Sequence, residues 1–153
     1  MQSYKVYKDS EFHKDRHPYI PPPETPLYDP RQVSIAYNER CIPKLADLLV
    51  FKDLDSQKRT DALHTLNELV SNQEYKAEMI EHFIVLYASQ LTVDDHPETR
   101  REAAMLLGSL FFLESGRKQY SSRKENYTIL QATLFDNNIK SRIAIGWAIY
   151  RLS

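Results

Sequence analysis

Arg59, Ala62, Leu63, Leu66 and Leu69 recur 41 residues later as Arg100, Ala103, Ala104, Leu107 and Leu110. The register comes round again as Ala144, Ile145 and Ala148, with Arg142 one place past the expected basic position and matching Arg101. Apolar residues three and four apart mark one face of a helix. The same face returning at a constant long interval marks copies of one unit. Such a unit cannot bury its face alone and must stack on its neighbours.

A period of about 40 to 47 residues belongs to helical repeats of the armadillo or HEAT kind. Repeats of this sort build surfaces rather than reaction centres. Only 3 of the 153 residues are glycine and 42% are hydrophobic, which suits an all-α body with short turns. The net charge of −1 supplies no general field for nucleic acid or anionic membrane. The single cysteine, Cys41, excludes an internal disulfide and fits a reducing compartment. No apolar run approaches the roughly 18 residues of a membrane span. The opening MQSYKVYKDSEFHKD lacks an apolar core, so a secretory signal is not expected. These features predict a cytoplasmic protein.

Residues 1–30 form a separate region. Pro18, Pro21, Pro22, Pro23, Pro26 and Pro30 remove amide donors and disfavour helix and central strand. The region is expected to be an extended arm, in part polyproline-like. Its aromatics, Tyr4, Tyr7, Phe12, Tyr19 and Tyr28, make it a candidate contact segment that orders on a partner or on the helical body. A plain disordered tail is the alternative.

The body, residues 31–153, reads as about three helical units. A short helix is predicted over 31–40 and another near Pro43, with Ile42, Leu45, Leu48 and Leu49 on one face. Ser56 is a candidate cap for a helix over 57–70. The second unit comprises helices over 74–82, 83–91 and 98–113, with Ser115-Gly116 as the expected stop of the last. The third comprises 117–122, 126–135 and 140–152, with a turn at Asp136-Asn137-Asn138. Three pieces per unit favour the armadillo pattern over HEAT.

The final helix is apolar almost all round: Ile143, Ile145, Trp147, Ile149, Tyr150 and Leu152 cannot all face one neighbour. A repeat array normally finishes in a unit with a polar outer face. Either this helix folds deeper against the second unit than a repeat implies, or another subunit covers it; the second is expected, with Trp147 or Tyr150 at the contact.

Residues of catalytic type do not fall into a catalytic pattern. The glycines at 108, 116 and 146 are isolated, so there is no phosphate loop. His13 and His17 lack the paired cysteines of a zinc site. Asp94 and Asp95 adjoin a helix start, where negative charge is favourable. No cofactor, metal or small-molecule substrate is expected, and the chain is not expected to be an enzyme. Arg117, Lys118, Arg123 and Lys124 form a local basic cluster. It reads as a solvated face or a contact for an acidic protein surface. Flanking Glu114 and Glu125 argue against nucleic acid. Armadillo adaptors that hold extended peptides carry an asparagine near the end of each long third helix. The 41-residue register puts Glu68, Ser109 and Tyr150 there, with Asn67 one residue off.

The stretch Tyr28-Asp29-Pro30-Arg31-Gln32-Val33-Ser34-Ile35-Ala36-Tyr37-Asn38-Glu39-Arg40-Cys41-Ile42-Pro43-Lys44-Leu45 resembles the start of the radial spoke head 14 homologue family, armadillo-type proteins of motile cilia. The Arg59–Leu69 helix and the turn Ser71-Asn72-Gln73-Glu74-Tyr75 are similar to that family's first unit. The likeness extends to about residue 113 and is generic beyond it. Members of the family are about twice this length, with more repeats, and lack so long an aromatic, proline-rich arm. The resemblance implies a structural radial spoke subunit in the axoneme, within the cytoskeleton, held in a large hetero-complex with other axonemal proteins. A soluble armadillo adaptor for signalling or transport is the alternative.

Overall fold

The computed structural model describes residues 41–51 and 54–153. The predicted helix over 31–40 and the arm at 1–30 lie outside the described residues. The described residues form eight α-helices and no strand. They are α1 (Cys41–Val50), α2 (Ser56–Leu69), α3 (Gln73–Glu81), α4 (Ile84–Leu91), α5 (Pro97–Leu110), α6 (Glu114–Ser121), α7 (Lys124–Thr133) and α8 (Ile139–Leu152).

Local chemistry sets most of the boundaries. Asn72 caps α3 by accepting from the Glu74 amide at 2.9 Å. Asn138 caps α8 through the amides of Lys140 and Ser141, at 2.9 and 3.2 Å. Both satisfy amides that the first turn leaves without intrahelical partners. Pro97 opens α5 at a position where a missing amide costs little. Phe83 separates α3 from α4 in the left-handed region, at φ 58°, a conformation that β-carbon sterics disfavour.

Two predicted boundaries are corrected. Ser56 does not cap α2. It is the first helical residue, and its carbonyl accepts from the Thr60 hydroxyl at 2.9 Å. Ser115-Gly116 does not end α5, which stops at Leu110 and turns through Phe111 to Leu113. Gly116 lies inside α6, where an added β-carbon would strike the Leu110 carbonyl. Its small size permits close approach of two helices rather than a left-handed stop.

The helices repeat in a short, short, long order. α2, α5 and α8 have 14 residues each, and α8 packs chiefly on α5, as α5 does on α2. Leu63, Leu66, Ala103, Ala104, Leu106, Leu107 and Ile145 are fully buried along this line. The apolar face predicted for α2 is largely as read: Ala62, Leu63, Leu66 and Val70 are buried and Leu69 packs half-buried against them. One register is corrected. Pro97 to Ile139 and Asp94 to Asp136 are steps of 42 residues, so the third unit runs one residue behind the 41-residue spacing. Thr99, Glu102, Ala103 and Leu106 then correspond to Ser141, Ala144, Ile145 and Ala148, and every one of these is buried.

Many polar groups inside the domain are matched, although Gln119 Oε1 and the Nε atoms of Arg59, Arg101 and Arg151 are buried without a hydrogen-bond partner among the described residues. Tyr120 is fully buried; its hydroxyl donates to the Asn126 carbonyl at 2.7 Å, while Asn126 Nδ2 donates to the Tyr120 carbonyl at 2.8 Å. Ser89 Oγ reaches Asn126 Oδ1 at 3.3 Å, so α4, α6 and α7 share one network. Burial pushes the Tyr120 phenol well above its ordinary pKa.

Candidate interaction surface

The loops ahead of the long helices carry a repeated ion pair. Arg59, near the start of α2, donates to Asp94 at 2.8 Å across to the loop before α5. Arg100, one unit later, holds Asp136 with two donors at 2.5 and 2.9 Å. Each arginine also ties down its own lead-in loop. Arg59 reaches the Leu54 carbonyl, Arg100 the carbonyls of Asp94 and Asp95, and Arg142 the carbonyl of Asp136 at 2.7 Å. Asp136 is well shielded and the Arg100 hydrogen bond, with help from the Asn138 amide, holds its carboxyl below the usual carboxylate range. Arg142 is exposed and meets no carboxylate within ion-pair distance among the described residues.

The seams between long helices are finished by polar contacts. Thr60 and Thr99 share a hydroxyl bond of 2.8 Å, and Ser141 Oγ donates to the Pro97 carbonyl at 3.2 Å. Asn67 donates to the backbone and carboxylate oxygens of Glu102, at 3.0 and 2.8 Å. This uses the asparagine nearest to the peptide-holding position, so its amide is committed to the seam. At the other seam the Trp147 ring lies on Gly108, where a β-carbon would collide with it.

The outer side of α8 is different. The four most exposed large apolar residues of the described domain are Phe135, Tyr150, Ile143 and Ile139, at 86%, 72%, 68% and 62%. All lie in α8 or the turn before it. Ile139, Ile143, Gly146 and Tyr150 are spaced to form one stripe along the helix. A β-carbon added at Gly146 would meet nothing within 4 Å, so the stripe has a gap at its middle. Exposed apolar residues aligned in this way mark an interaction site more often than chance exposure.

The structure places the sequence candidates unevenly. Tyr150 stands on the open stripe. Trp147 is half-buried on the α5 side, with the Arg151 guanidinium 5.7 Å from its ring. Tyr4, Tyr7, Phe12, Tyr19 and Tyr28 lie outside the described residues. The basic cluster is divided. Arg117 donates to the Phe111 carbonyl at 2.5 Å and so closes the end of α5, while Lys118 pairs with Glu114 at 2.7 Å. Arg123 and Lys124 remain exposed beside Glu125. An apolar groove of about 220 Å³ between α7 and α8 is lined by Tyr127, Leu130, Gln131, Ile149 and Leu152. Its lining is mainly apolar, with the Tyr127 phenol, the Gln131 amide and Ser153 as its polar groups. No group of three or more metal-ligating side chains occurs among the described residues. No described helix is long and apolar enough to cross a membrane.

Sequence reading missed the roles of Asp94 and Asp136 as partners of Arg59 and Arg100, and the parts of Phe135, Ile139, Ile143 and Gly146 in the open stripe. A signal existed: with the 42-residue step, exposed Gly146 corresponds to buried Ala104 and exposed Tyr150 to Gly108, which lies under Trp147. No family model matches the chain, and no curated protein matches it.

Proposed function

We propose that this chain is a non-enzymatic scaffold of the armadillo kind, a radial spoke subunit of the ciliary axoneme that joins larger proteins through α8 and its N-terminal arm. The observation that carries the binding reading is the collection of Phe135, Ile139, Ile143 and Tyr150 on one end of the helical array. The armadillo reading is supported by the three-helix order and the steps of 41 and 42 residues between long helices. The axonemal reading is supported by the resemblance of residues 28–45 and of Ser71–Tyr75 to the radial spoke head 14 homologue family. The resemblance is to a structural family, and the open stripe is of the type that large assemblies cover.

Fractionation of detergent-extracted cilia tests this. The protein is expected to stay with the microtubule axoneme, and Tyr150→Asp is expected to reduce the retained amount without lowering Tm. Complete release into the detergent fraction sinks the axonemal reading and favours a soluble adaptor.

A further inference from the structure

We infer that the outer stripe of α8 seats a partner helix led in by an aspartate, docked as α5 docks on α2 and α8 on α5, with the aspartate paired to Arg142. The inference deepens the scaffold reading and rests on it only for the claim that this face binds protein. Two seams inside the chain set the pattern. In each, an arginine near the start of one long helix takes a carboxylate from the loop ahead of the next: Arg59 takes Asp94 and Arg100 takes Asp136. In each, that aspartate lies three residues before its helix begins, at Pro97 and at Ile139. Arg142 is the third arginine of the series. It makes the contact to its own loop, at 2.7 Å, and has no ion-pair partner among the described residues.

The apolar positions agree. Stepping 42 residues along from α5, Pro97, Arg100, Ala104 and Gly108 become Ile139, Arg142, Gly146 and Tyr150. In α5 these positions receive α8: the Pro97 carbonyl accepts from Ser141, Arg100 binds Asp136, Ala104 is fully buried and Gly108 lies under Trp147. In α8 all four are open to solvent. These are seam positions without a seam. They specify their occupant: a carboxylate for Arg142, a close-approaching helix at Gly146, and small apolar groups against Ile143 and Tyr150.

A second copy of the chain stacked head to tail fits poorly. The flank of α2 that corresponds to Ser141, Ala144 and Ala148 of α8 carries Lys58, Asp61 and Thr65. In sequence such a copy supplies a lead-in aspartate, Asp53, three residues ahead of α2, but Lys58 and Asp61 would bury charge against isoleucine and tyrosine, at a cost.

The probe is a labelled synthetic peptide of residues 133–153 of this chain, carrying Asp136 in its lead-in and Trp147→Ala to make room for Tyr150. It is titrated into the 153-residue chain and binding is followed by fluorescence anisotropy. Saturable binding is expected. Arg142→Asp gives up the 2.7 Å bond to the Asp136 carbonyl, so its melt is recorded beside the parent's; in the folded variant binding should weaken by about fivefold or more. A peptide with Asp136→Arg should restore binding to that variant. No saturable binding, or binding indifferent to Arg142, overturns the inference. Binding that emerges only when residues 1–30 are deleted overturns it by giving the face to the chain's own arm. A dimer by sedimentation that Tyr150→Asp dissolves overturns it by giving the face to a second copy. Axonemal retention with no peptide binding defeats this inference alone, and peptide binding with release from axonemes defeats only the axonemal reading.

Discussion

α5 and α8 have the same length and occupy the same place in successive units, yet α5 buries eight of its residues and α8 buries four. Composition would suggest the reverse. α5 carries Glu98, Arg100, Arg101 and Glu102, while α8 carries Ile139, Ile143, Ile145, Trp147, Ile149, Tyr150 and Leu152. Position in the stack decides the difference. α5 lies between α2 and α8, so even Glu102 is buried, bonded to Asn67 and Arg101. α8 has α5 on one side and, among the described residues, no long helix on the other. A helix packed on both flanks neutralises the charge it buries, whereas the outer flank of α8 leaves its apolar surface open among the described residues.

The largest effect that separates these helices is truncation of their apolar side chains. Leu107→Ala in α5, like Leu66→Ala in α2, should cost about 2–5 kcal/mol, because each leucine is fully buried between helices. Ile143→Ala in α8 should fall within about 0.5 kcal/mol of the parent, as an exposed site should. Denaturant midpoints measure both. An equal cost at Ile143 would mean that its face is already covered in the isolated chain.

A smaller effect tests the seam between them. Asp136→Asn should cost about 1.5–3 kcal/mol at neutral pH, since it weakens charge-assisted bonds to Arg100. The sign with pH follows from the depressed pKa of Asp136. Its folded value lies below an unfolded value of about 3.9, so its stabilisation is full above that value and is lost as pH falls through the folded one. The difference between parent and variant should therefore shrink in strong acid. A constant difference across the acid range would show that the ion pair does not set the seam's stability.

The glycines sharpen the comparison most finely. Gly116→Ala pushes a β-carbon into the Leu110 carbonyl and should cost about 1–3 kcal/mol. Gly146→Ala meets open space and should gain up to about 1 kcal/mol from helix propensity. Thermal melts read both signs. A destabilising Gly146→Ala would show that the middle of the stripe is already occupied.

Helical character and the position of the repeating apolar face were legible in the residues alone. Leu66 and Leu107 could be read as buried because helical periodicity is local: the backbone sets the side-chain directions, and a run of about three turns shows which face is apolar. The lone apolar excess of the final helix was legible for the same reason. Other features came from packing between distant segments. Gly116 looked like a helix stop, because sequence cannot tell a glycine needed for a positive φ from one needed for close packing. Asp94 looked like a helix-start charge and Asp136 like a turn residue, because their arginine partners are 35 and 36 residues away. Trp147 and Tyr150 looked equivalent, and a one-residue shift of register put the first on Gly108 and the second in solvent. Each of these outcomes depends on which helix lies across the gap, and that is set by the three-dimensional stacking of distant segments.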